Sequence, residues 1–204
     1  MPDPPLNGDH SRVDLPGRLH DETAGLRHSV EQRVGVPESV RNRTDYVRLL
    51  ERSLAMHTAI EIRLDAPAWS SQWRGLGVIL IDHRRTALLQ DDLRNLGGDP
   101  SPRPLPPPEI TTFAQALGCL YAIEQAALSA RKLAPAIQAR IGRVPTTFLD
   151  DDLRGHPRPW HATVNALRRY EEARGDVGDV VLGARITFRA LGEQIAHVRW
   201  TNTD

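Results

Sequence analysis

The side chains of this sequence that could do chemistry are few and scattered. His57-x-x-x-Glu61 sets an imidazole and a carboxylate four residues apart. On a helix they share a face, where they could ligate a metal or hydrogen-bond within a core. Glu193-x-x-x-His197 repeats the pairing in reverse near the C-terminus, and Glu124 is a third carboxylate in an apolar run. A carboxylate-bridged di-iron oxidase needs several such groups converging inside a bundle. This set is sparse, with no repeated Glu-x-x-His. A further group, His20, Arg27, His28 and Glu31, falls in one N-terminal stretch. No zinc spacing, glycine-rich phosphate loop or Gly-x-Ser-x-Gly nucleophile motif is present. Arg84-Arg85 and Arg168-Arg169 are isolated doublets that read as solvated helix faces, so no nucleic-acid partner is expected.

The chain that must position these groups has 204 residues, 40% of them hydrophobic, which suits one medium domain. Its 26 basic and 26 acidic residues cancel, giving no general pull toward nucleic acid or an anionic membrane. Lys132 is the only lysine and Cys119 the only cysteine. A lone cysteine excludes an internal disulfide and points to a reducing compartment, so a cytoplasmic location is expected. No apolar run reaches the roughly 18 residues of a membrane span. Residues 1–13 lack the basic and apolar regions of a signal peptide and read as a flexible tail, as do residues 201–204. Residues 14–200 form the domain.

Periodicity predicts helices throughout. Leu15, Leu19, Thr23, Leu26, Val30 and Val34 make one stripe, with Asp14 as N-cap, Pro16 in the first turn and Gly35 with Pro37 as the stop. Thr44 reads as the N-cap of a second helix ending near Leu64. Ala66 to Gly75 reads as a loop plugged by Trp69 and Trp73. A third helix is expected from about Leu76 to Leu96, stopped by Gly97-Gly98. Asp99 to Pro108 is a proline-dense extended linker. Ile110 to Ile141 reads as one helix with a kink at Pro135, and Pro145 to Pro159 as irregular. Two last helices span about Trp160 to Arg174 and Asp179 to His197.

On the first helix, at about 100° per residue, Arg27 lies roughly 70° from the centre of the apolar stripe and His28 roughly 170° away. His28 therefore reads as a surface histidine. His20 points within about 20° of Arg27 but about 10 Å further up the axis.

Several segments resemble heme oxygenases, in particular the bacterial, phytochrome-associated, biliverdin-producing type. Leu19, Thr23 and Glu31 match the family's proximal helix, with Arg27 where the family carries its iron-ligating histidine. Tyr46-x-x-x-Leu50 and Met56-His57-x-x-x-Glu61 are similar to its second helix, and Asp92-Leu93-x-x-Leu96-Gly97 to its third. Ala116-Leu117-Gly118-Cys119-Leu120-Tyr121-Ala122-Ile123-Glu124 resembles the start of its distal helix. The glycines that follow there are replaced in Gln125-Ala126-Ala127-Leu128-Ser129-Ala130. Trp160, Leu167 and Gly183-Ala184-x-x-x-Phe188 resemble the closing segments.

The resemblance implies a single-domain all-α bundle with a pocket between the proximal and distal helices. Thr23, Arg27 and Glu31 would face it from one side, and Gln125, Ala126, Ser129 and Ala130 from the other. The family activity is oxygen-dependent cleavage of heme to biliverdin, iron and carbon monoxide, driven by an external electron donor. Arginine offers no lone pair to iron, so an Arg27–Glu31 ion pair at the pocket rim is expected instead of ligation. The expected protein is a non-catalytic relative, a pseudoenzyme whose heme is weakened or absent and whose pocket takes another small molecule. The alternatives are an active heme oxygenase ligated unconventionally, through His20 or His57 (His28 being the weakest metal candidate), and the di-iron oxidase. An electron donor or phytochrome-system partner belongs to the active case. No membrane partner is expected.

Overall fold

The computed structural model describes residues 14–101, 103, 105–150 and 159–196. Both predicted tails and His197 lie outside them, as do most of the irregular stretch after Asp150 and the side chains of Val34 and Ile195. Eight α-helices run in chain order: α1 Leu15–Val34, α2 Arg43–Leu64, α3 Ser70–Gly75, α4 Thr86–Leu96, α5 Phe113–Ala130, α6 Leu133–Ile141, α7 Pro159–Glu172 and α8 Val177–Ala196. Short 3-10 turns occupy Pro67–Trp69 and Leu80–His83. Among the described residues there is no strand, and no helix is long and apolar enough to cross a membrane.

The ends of α1 follow the sequence. The Asp14 side chain accepts from the Gly17 backbone N–H, and Gly35 closes the helix in the left-handed region. Elsewhere boundaries move for identifiable reasons. Asn42, not Thr44, caps α2, its side-chain oxygen accepting from Asp45 N at 2.9 Å. The Trp69–Trp73 segment is helical rather than loop. Trp73 is buried, and its indole N–H donates to Leu64 O at 3.0 Å. The expected helix from Leu76 begins only at Thr86, after the 3-10 turn. The kink at Pro135 is a full break at Arg131–Lys132. Proline has no N–H to offer the carbonyl of Arg131, and its ring crowds that carbonyl.

Two apolar clusters form the core. One gathers α1, α5, α7 and α8 with Trp69 and Trp73. The other gathers the first half of α2 with α4, α6 and Leu149. α2 serves both: Leu50 and Leu54 belong to the second cluster, Met56 and Ile60 to the first.

α5 is the central helix. Every residue from Ala114 to Glu124 is buried, so it has no solvent face there. Two glycines let α8 approach it. A Cβ on Gly118 would stand 1.9 Å from Val180 O, and one on Gly183 would stand 2.1 Å from Gln115 O. Both obstacles are backbone, which cannot rotate away. Gly118→Ala is expected to destabilise the protein by about 3 kcal/mol or abolish folding, whereas Gly25→Ala, which meets nothing within 4 Å, is expected to be neutral or stabilising. Denaturant unfolding of the two variants checks this.

Candidate functional site: a cavity between the two clusters

Below Glu124 the surroundings of α5 change. Gln125 to Ala130 are only half-buried although they continue the central helix. They border a cavity of about 410 Å³ at the junction of the two apolar clusters, within the size range of small-molecule pockets. Four expected distal-helix positions, Gln125, Ala126, Ser129 and Ala130, line it. Where glycines would leave room, alanine and serine side chains fill part of the space. α1 contributes Arg27, Val30 and Glu31, and α2 contributes Leu50, Ser53, Met56 and His57. Phe188 and Leu191 of α8 complete the apolar lining from that side.

The remaining wall was not foreseen. Phe148 and Leu149 reach the cavity from a turn after α6. Asp92, fully buried on α4, holds that turn by accepting from Thr147 N at 3.2 Å and Phe148 N at 2.9 Å. The Tyr46 hydroxyl fixes the same turn by donating to Pro145 O at 3.0 Å. Burial, reinforced by the Asp92 charge, raises the Tyr46 pKa above the usual tyrosine range. Tyr46 and Asp92 stand in the segments singled out above, so those segments include clamps for the cavity wall.

The α1 face departs from expectation. Arg27 does not pair with Glu31. Its guanidinium lies 3.0 Å from His20 Nδ1 and also donates to His20 O at 3.0 Å. Side chains on a helix lean toward its N-terminus, so Arg27 reaches back two turns to the histidine aligned with it rather than forward to Glu31. His20 is exposed, with its imidazole engaged by Arg27, and it does not line the cavity. His28 is exposed and bonds Gln32 at 2.8 Å, on the outer face as its angle predicts. Thr23, expected at the pocket, is fully buried, and its hydroxyl donates to Leu19 O at 2.7 Å; it too stays off the cavity wall.

The cavity has one strongly polar buried end. Arg85, read from sequence as solvated, is 5% exposed and borders the cavity. Its Nη2 lies 3.4 Å from Glu124 Oε2, while Glu124 Oε1 lies 3.0 Å from His83 Nδ1. Glu61 does not meet His57. Its carboxylate accepts from Arg85 N at 2.8 Å and Thr86 N at 3.0 Å, capping α4, whose own N-cap residue supplies no side-chain cap. Both conserve the buried-charge rule that each carboxylate is satisfied by donors. Arg84, by contrast, is exposed and pairs with Asp65.

His57 does not join this network. It is 8% exposed, its Nδ1 is buried without a hydrogen-bond partner, and its ring stands edge-on to Phe148 at 5.4 Å. An unmet buried polar atom costs about 1–3 kcal/mol. Burial, aided by the Arg85 charge, lowers the imidazole pKa to about 3. Cys119 offers no chemistry: it is buried at 1% exposure, and burial pushes its thiol up to about 12. Among the described residues no group of three or more His, Cys, Asp or Glu could hold a metal ion.

The arrangement of helices around this cavity is the heme oxygenase fold, in a single all-α domain. A crystallised heme oxygenase from Neisseria meningitidis, studied in its NO- and CO-bound forms, superposes with a TM-score of 0.72 at 22% identity, over 90% of this chain and 91% of that one. No protein-family model and no curated protein matches the sequence.

The donor set does not fit a heme held from α1. Arg27 cannot ligate, and neither His20 nor His28 reaches the cavity. His57 is the one imidazole lining the cavity among the described residues, and the Arg85 cation beside it disfavours adding ferric iron there.

His57 also sets a pH signature. The unfolded imidazole takes up a proton near its ordinary value of about 6.5, and the folded one only near 3. Between these values the unfolded state binds more protons, so stability falls as pH drops through that window, by up to about 1.4 kcal/mol per unit. His57→Phe is expected to flatten the decline between pH 6 and pH 4, measured by denaturant unfolding against the parent.

Proposed function

We propose that this chain is a non-catalytic small-molecule-binding protein built on the heme oxygenase fold. The observation that carries the reading is the engagement of Arg27. At the position matching the family's ligating histidine, a guanidinium is tied to His20 and to the backbone of its own helix. The side that would hold iron therefore offers no nitrogen lone pair. The α5 wall supports the same reading, because Gln125, Ser129 and Ala130 carry side chains where the resemblance places glycines. What remains is a pocket of useful size, apolar along Leu50, Met56, Ile123 and Phe188, with cations outnumbering its single carboxylate, Glu31.

The competing reading, an active heme oxygenase ligated by His57, has one observation in its favour: that imidazole borders the cavity and is neutral. An electron donor and a phytochrome-system partner belong to that reading.

Hemin titration separates the two. The wild-type protein is expected to give no sharp Soret band and, with reductant and oxygen, no biliverdin. Arg27→His is expected to gain a sharp band, because an imidazole then stands on the cavity side of α1. A sharp Soret band and biliverdin from wild type, both lost in His57→Phe, would establish the competing reading.

A further inference from the structure

We propose that the buried end of the cavity, where His57 stands beside Arg85, receives the carboxylate of a small apolar acid. The inference rests on the small-molecule reading above and names the chemical class of the ligand.

Three features of the lining converge on it. First, His57 borders the cavity, is more than nine-tenths buried, and is unpartnered at Nδ1, an atom with no accessible surface of its own. A neutral imidazole carries one N–H and one lone pair, so the ring has a donor to give. Either nitrogen can present it, by tautomer or by a half-turn of the ring. The carboxylates and the hydroxyl beside it are already engaged. Glu61 caps α4, Glu124 is shared by His83 and Arg85, and Ser53 donates to Leu49 O at 2.9 Å. An incoming group therefore completes His57 without displacing an existing bond.

Second, the sign of the charge is set. The positive charge felt at His57 is that of Arg85, with Glu124 bound to the guanidinium through its Nη2. Arg27, Arg52 and Lys132 also border the cavity, against Glu31 alone. A carboxylate is attracted to such a lining and a cationic head is repelled.

Third, the rest of the wall is apolar. Met56, Ile123, Phe148 and Phe188 surround the space that a hydrocarbon body would fill. The ligand is thus an acid with one ionised head and an unbranched or cyclic hydrocarbon body, its head accepting an N–H bond from His57 next to a fixed positive charge.

Calorimetric titration of the full chain with decanoate and with decanol, below their aggregation limits, tests this. Decanoate is expected to bind one per chain, about tenfold or more tighter than decanol, the difference expected of one charge-assisted hydrogen bond. His57→Phe is expected to weaken decanoate about tenfold while leaving decanol unchanged. The same variant is expected to have a higher Tm without ligand, because an unmet polar atom is replaced by hydrocarbon. His57→Gln, which keeps an N–H donor, is expected to retain most of the decanoate affinity and covers the case in which the phenylalanine variant does not fold. Equal affinities for the acid and the alcohol, or undiminished decanoate binding by a folded His57→Phe, would overturn the inference and leave the small-molecule cavity standing. Failure of both probes to bind would overturn the cavity reading along with it.

Discussion

The approach of α5 to α8 governs everything else in this molecule. Gly118 and Gly183 bring two backbones to a separation that no side chain allows. α5 is therefore buried on all sides at that crossing, and its direction is fixed where it enters the lower half of the bundle. The cavity exists because α5 continues past this crossing into a region that the two apolar clusters do not fill. Residues from Gln125 onward keep the helix but lose the dense surroundings.

Much of this was legible beforehand because it rests on local rules. The apolar stripe of α1, its Asp14 cap and its Gly35 stop are short-range features, and they stand as read. The outward direction of His28 followed from helix geometry alone. The all-α fold was legible through motif order, which reflects packing: Gly118 and Gly183 are required by the crossing, and Tyr46 and Asp92 by the turn they clamp. Errors gathered where a partner distant in sequence decides the outcome. Arg85 looked solvated because nothing near it in sequence announces Glu124, 39 residues away. The start of α4 was misplaced because its cap is a carboxylate from α2. Phe148 was missed because its turn is placed by Asp92 and not by its own neighbours. Arg27 found His20 rather than Glu31 because two turns of lean favoured the backward reach.

Chemistry is assigned less directly than fold for the same reason. A ligating residue is defined by what it faces, and the altered positions on α1 and α5 retain helix propensity while changing what they present. A cationic side chain at the mouth and methyl groups along the wall leave the scaffold intact. They leave α1 with no imidazole among the described residues that line the cavity.

The two apolar clusters meet chiefly through α2, whose first half belongs to one and second half to the other. That division gives the bundle a seam. Separation along it widens the cavity without disturbing the glycine crossing, since both helices of the crossing lie on the same side. Amide protons of α4 and α6 should accordingly exchange through a smaller opening than those of α5.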